Sequence, residues 1–184
     1  MIFATRDTSG IRRCSINVAN RGKDFEREFR NSVNAYPGVY CYRITDKVYI
    51  GSDHKPHKTE SPADFYVFDH RFDRLVVYMV ECKATASRTS ISFSALAEHQ
   101  GRDLKSFDDM HDDMRSFVAV NFYDSINLRR FNEMYLIPLA RWRYYEENLG
   151  RKSVARKTLM DDDDVILCKR EGTLYDISGV FGSR

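Results

Sequence analysis

A chain of 184 residues with 42% hydrophobic and 30% charged residues has the composition of one folded domain, which excludes a disordered or fibrous polypeptide. The formal net charge of +2 excludes little by itself, but residues 1–30 hold seven Lys and Arg against four Asp and Glu, and residues 141–157 hold six against two. Cys14, Cys41, Cys82 and Cys168 form no close pair, which argues against a zinc site or a disulfide framework, and no apolar run approaches the roughly 18 residues of a membrane span, so a soluble protein of a reducing cytoplasm is expected.

Residues 1–20 are polar and basic and read as a flexible arm ahead of a single domain over residues 21–184. Phe25, Phe29 and Val33 recur at helical spacing, which predicts a helix over about 22–34, closed by Pro37-Gly38. Residues 39–44 alternate as a strand, and residues 46–61 mix Gly, Pro, His and Lys as a loop or exposed excursion. A second strand over 64–69 is entered through Pro62, and a polar turn over 70–74 joins it as a hairpin to a third, residues 75–84. That third strand opens with the apolar run LVVYMV, as expected where both faces are buried. A Ser/Thr-rich connection then leads to a helix over about 95–114, with Leu96, Leu104, Phe107 and Met110 on one face. Strands follow at 116–122 and 131–139, then a short helix after Pro138 through Asn148. Residues 150–184 are basic, then acidic, then weakly strand-like. The order helix, strand, strand, strand, helix, strand, strand is that of an α/β (α+β) domain with a central mixed sheet and helices on its faces.

The chemistry concentrates at Pro62-Ala63-Asp64 and Glu81-Cys82-Lys83. Side chains alternate along a strand, so Glu81 and Lys83 share a face, Cys82 points to the other, and the hairpin can bring Asp64 alongside. Two carboxylates can hold Mg²⁺, a hard cation that prefers oxygen, and a neighbouring ammonium can stabilise charge on a phosphoryl group under attack. A Glu-x-Lys pair on a strand is commonly only a solvated ion pair. Three features favour chemistry: the charges end a strand that otherwise wants burial, an Asp lies on the preceding strand at hairpin distance, and that Asp follows Pro-Ala.

These residues resemble the PD-(D/E)xK nuclease signature, and the wider pattern is similar to the RecU-type Holliday junction resolvases. Asn20-Arg21-Gly22 with Glu26 resembles that family's opening helix. Glu81-Cys82-Lys83-Ala84-Thr85, the loop with Ser90-Ile91-Ser92-Phe93, and His99-Gln100 resemble its Glu-x-Lys strand, Ser/Thr-rich loop and Gln-bearing helix. Tyr135-Leu136-Ile137-Pro138 and Gly150-Arg151-Lys152-Ser153 resemble its late strand and basic segment, so that the match covers roughly residues 20–155. The 64–81 hairpin is longer than the family's, and residues 46–61, where its protruding stalk is expected, differ in composition.

The resemblance implies a restriction-endonuclease-like core and a Mg²⁺-dependent endodeoxyribonuclease, with Mn²⁺ as a substitute. It implies a homodimer that makes paired nicks in four-way junctions during recombination or repair, in the cytoplasm of a bacterium or an infected host cell. Asp64 and Glu81 are the expected metal ligands, Lys83 the expected catalytic cation, and Glu26 and Gln100 further catalytic groups. Glu26 also reads as an ordinary exposed charge beside Arg30. Arg12, Arg13, Arg21, Lys23, Arg151 and Lys152 are candidate phosphate contacts, joined by Arg156 and Lys157. Trp142, Tyr144 and Tyr145 read as core more readily than as base-stacking groups, and Asp161–Asp164 as a solvated run. A restriction-like or repair nuclease on linear duplex and a non-catalytic branched-DNA-binding protein remain the alternatives.

Overall fold

The computed structural model describes residues 20–71, 74–125 and 131–181. The expected arm, with Arg12 and Arg13, lies outside the described residues.

Helix α1 (Arg21–Asn34) forms because Phe25, Phe29 and Val33 stack on one stripe and bury completely. The turn after it needs a glycine. Gly38 has φ +80, and a Cβ there would stand 2.6 Å from Arg71 Cγ. Strand β1 (Val39–Arg43) follows. Where an irregular excursion was expected, β2 (Lys47–Ile50) and β3 (Pro56–Thr59) pair as a separate two-stranded hairpin. Alternation was obscured there because Val48, Tyr49 and Ile50 are all exposed, so no buried face imposes a period of two.

Strands β4 (Phe65–Asp69) and β5 (Val76–Thr85) form the expected hairpin. Short β6 (Ser90–Ser92) and one 3₁₀ turn (Phe93–Ala95) lead into α2 (Glu98–Asp108). The helix is shorter than its pattern predicts. Its start is set by the Gln100 side chain, which accepts the Ala97 N–H at 3.1 Å. At the other end the Asp/His-rich turn competes for backbone groups, with Asp113 N donating to His111 Nδ1. Met110, expected on the helix's buried face, therefore lies beyond the helix and is 67% exposed.

Strands β7 (Met114–Tyr123) and β8 (Asn132–Pro138) precede α3 (Leu139–Asn148). The remainder forms β9 (Ser153–Ala155), α4 (Arg156–Met160), β10 (Ile166–Cys168), β11 (Arg170–Glu171), β12 (Leu174–Tyr175) and α5 (Ser178–Phe181).

The described residues thus make a mixed α/β fold with five helices and a six-stranded sheet in the order β1-β4-β5-β7-β8-β10. Only β5 and β7 run parallel, joined across α2, and every other neighbouring pair in that sheet is antiparallel. Alternation divides the core in two. Tyr78, Val80, Ala119, Met134 and Leu136 face α1 and the C-terminal Tyr175 and Ile177. Met79, Val118, Val120, Tyr135 and Ile137 face α2 and α3, where Trp142 and Tyr145 are buried, as their core reading requires. No helix among the described residues is long and apolar enough to cross a membrane.

Candidate active site

Asp64 stands just before β4, where its main chain is tied on both sides. Its N–H donates to Val80 O at 3.2 Å, and its carbonyl accepts from Ile44 N at 2.8 Å. Its carboxylate turns toward β5, and Oδ2 accepts the Cys82 N–H at 2.8 Å. The 64–81 hairpin therefore brings Asp64 beside Glu81 and Lys83, as the spacing predicted. Cys82 packs on the opposite face, against the α1 side of the core.

Glu81, Lys83 and Gln100 form a closed triangle. Lys83 Nζ lies 2.7 Å from Glu81 Oε1 and donates to Gln100 Oε1 at 2.9 Å, while Gln100 Nε2 donates to Glu81 Oε1 at 2.7 Å. Gln100 is placed by the first turn of α2, where the same Oε1 also takes the Ala97 N–H. Glu81 is 3% exposed, and its other oxygen, Oε2, is buried with no hydrogen-bond partner among the described residues. An orphaned carboxylate oxygen in the interior is costly unless a cation or a proton completes it.

The electrostatics agree. Burial first, and repulsion from Asp64 second, push the Glu81 carboxyl up to about 7, against the pull of Lys83 and Gln100. Burial also raises Asp64, opposed by the Cys82 N–H, Lys83 and Arg43. Glu26, on α1, is raised by burial and by Asp64, and is drawn back by its ion pair with Arg43 and by nearby Lys23. Asp64 is thus the shared member of two repelling pairs, one with Glu26 and one with Glu81.

Among the described residues no group of three or more His, Cys, Asp or Glu side chains is gathered to hold a metal ion. Asp64 and Glu81 nevertheless fit a divalent cation: both are carboxylates, they repel each other, and Glu81 Oε2 lacks a partner among the described residues.

The expected phosphate contacts divide. Lys23, Arg151 and Lys152 are exposed, and the Lys152 carbonyl accepts from Phe93 N and Ser92 Oγ beside the loop that enters α2. Arg21 does not join them. It is 1% exposed, and its guanidinium donates to Glu28, Asn121, Asn132 and Tyr175. A buried guanidinium bound on all sides cannot reach a phosphate, so Arg21 is corrected from a DNA contact to a structural anchor. Arg156 bonds Glu133 and Tyr135, and Lys157 pairs with Asp161. His99 pairs with Glu60 at 3.2 Å and not with the acidic site. Exposed Tyr144 lies under the Arg141 guanidinium.

Arg43 escaped the sequence reading. It lies 17 positions from its partner Glu26, and only the β1–β4 register, which opposes Arg43 to Phe65, brings it beside Asp64. No model of a known protein family matches this chain, and no curated protein matches it.

Proposed function

We propose that this protein is a metal-dependent endodeoxyribonuclease with a PD-(D/E)xK core, acting as a homodimer that resolves four-way DNA junctions by paired nicks. The observation that carries the reading is the convergence of Asp64, Glu81, Lys83 and Gln100 at the ends of β4 and β5 and the start of α2, with a buried carboxylate oxygen left unpartnered. Asp64 and Glu81 would hold Mg²⁺, or Mn²⁺ in its place, which supplies Lewis-acid polarisation of a phosphoryl oxygen and a more acidic water.

The chain's own groups do the rest. The Lys83 ammonium, fixed between Glu81 and Gln100, is preorganised to stabilise negative charge as it grows on the phosphate. Gln100 cannot leave without releasing both Lys83 and the start of α2, so it holds the ammonium in place. Exposed Lys23, Arg151 and Lys152 supply sequence-independent attraction to the backbone.

The junction as substrate rests on the resemblance to RecU-type resolvases and on the β2–β3 hairpin. That hairpin pairs with itself and exposes Val48, Tyr49 and Ile50, a shape suited to the open centre of a four-way junction. A two-fold dimer matches the two equivalent cut sites.

The test is cleavage of a labelled four-way junction against linear duplex of the same arms, with and without Mg²⁺. Metal-dependent paired nicks in the junction alone are expected. Equal cutting of linear duplex would replace the resolvase by a general or restriction-like nuclease, and no cutting of either would leave a DNA-binding module.

A further inference from the structure

Glu26 is a third acidic group beside the proposed metal pair, close enough to be repelled by Asp64. Its carboxylate is bound to the guanidinium of Arg43. Arg43 ends the edge strand β1, and the next residue, Ile44, bonds the Asp64 carbonyl, so Arg43 borders Asp64 as well as Glu26. The pair is asymmetric in exposure. The Glu26 side chain is 16% exposed and cannot move far into solvent, whereas that of Arg43 is 46% exposed and can.

We propose that Arg43 is a positioning residue that holds Glu26 out of the metal site until a DNA phosphate takes over its guanidinium, whereupon Glu26 completes an acidic set with Asp64 and Glu81. The proposal rests on the nuclease reading above.

Chemistry favours the exchange. The guanidinium fork fits a carboxylate and a phosphate by the same two-pronged geometry, so Arg43 trades one anion for another without losing a charge partner. Glu26 then stands without its counter-cation beside Asp64, in a partly buried place where both burial and Asp64 disfavour its charge. A divalent cation relieves that repulsion. Metal binding and phosphate binding therefore favour the same arrangement, and by linkage each tightens the other. Lys83 cannot serve as this switch, because its ammonium is held by Glu81 and Gln100 together and is largely buried.

The experiment is a calorimetric titration of Mn²⁺ into the metal-free, DNA-free protein at pH 8. It compares wild type, Arg43→Ala, Arg43→Lys, Glu26→Gln and the double variant Glu26→Gln/Arg43→Ala. Freeing the Glu26 carboxylate to join Asp64 and Glu81 at the ion should tighten Mn²⁺ binding ~tenfold in Arg43→Ala. Arg43→Lys should stay near wild type. The double variant should bind within about twofold of Glu26→Gln, because the gain runs through Glu26. In EDTA, Arg43→Ala should bind the junction more weakly than wild type. Unchanged Mn²⁺ affinity in Arg43→Ala would overturn the proposal, as would a gain that persists in the double variant. Wild-type Mn²⁺ binding that survives both Asp64→Asn and Glu81→Gln would instead overturn the nuclease site on which the proposal rests.

Discussion

Glu81 is a carboxylate that the fold protonates more readily than water does. Its folded pKa is raised from 4.5 to about 7, so the folded state holds the proton more tightly than the unfolded chain. The stability this gives is fully present below about 4.5 and is lost as pH rises through about 7. Asp64 and Glu26 are raised too and act in the same direction. Asp162 and Asp176, both lowered from 3.8, act oppositely: their stability is present above 3.8 and lost as pH falls below it. The metal-free protein should therefore melt at a higher temperature at pH 5.5 than at pH 8, and Mg²⁺ should raise the pH 8 value. Glu81→Gln should flatten the metal-free difference, and thermal scans at the two pH values measure it. At the level of activity, the proposed function has both residues serving the transition state more than the ground state, so Glu81→Ala or Lys83→Ala should abolish junction cutting and leave junction binding within a few-fold. Full cutting by either variant in a gel assay would remove it from the site.

At the scale of elements, α1 is fastened by polar contacts as well as by its apolar stripe. Arg21 joins Glu28 on its own helix to Asn121 on β7, Asn132 on β8 and Tyr175 on β12, and Arg170 also pairs with Glu28. Arg21→Ala would remove the guanidinium that these groups share and leave them only one another and Arg170, and a loss of about 3–5 kcal/mol in urea unfolding is expected. Gly38→Ala should cost about 1–2 kcal/mol from its left-handed backbone alone. The β2–β3 hairpin behaves differently. Among the described residues its two strands pair with each other and not with the six-stranded sheet, so replacing residues 47–59 by a short turn should lower the melting temperature far less than Arg21→Ala does while erasing the proposed preference for junction over linear duplex in competition binding. These elements also show what the chain could disclose in advance. Helix α1 and strands β4 and β5 were legible because a stripe of Phe and Val, or an apolar run, repeats the period of the element. Asp64, Glu81 and Lys83 were legible because strand alternation and one hairpin suffice to gather them. Strands β9–β12 were not, being two or three residues long, and β9 and β10 are defined by distant partners on β6 and β8. Arg21 looked like a free cation because its acceptors Asn121, Asn132 and Tyr175 lie 100, 111 and 154 positions away.

At the scale of the whole molecule, a net charge of only +2 means that the proposed DNA attraction has to come from local clusters. Arg151 and Lys152 lie exposed beside the loop that enters α2, the helix that carries Gln100. Neutralising both should weaken junction binding about equally for all sequences. It should also flatten the plot of log affinity against log salt by roughly 0.9 for each phosphate that is no longer neutralised. An unchanged slope would take this edge out of the footprint. The bond between Arg21 and Tyr175 has a consequence for how the protein is made. Arg21 emerges before Tyr175, and at ~5–20 residues per second about 8–30 s separate the two. During that interval a guanidinium meant for the interior lacks its final acceptor, and the helix bearing Glu26 cannot settle onto the sheet in its final form. A nascent chain therefore cannot complete the polar network that fastens α1, the helix bearing the proposed catalytic Glu26, until Tyr175 has been made.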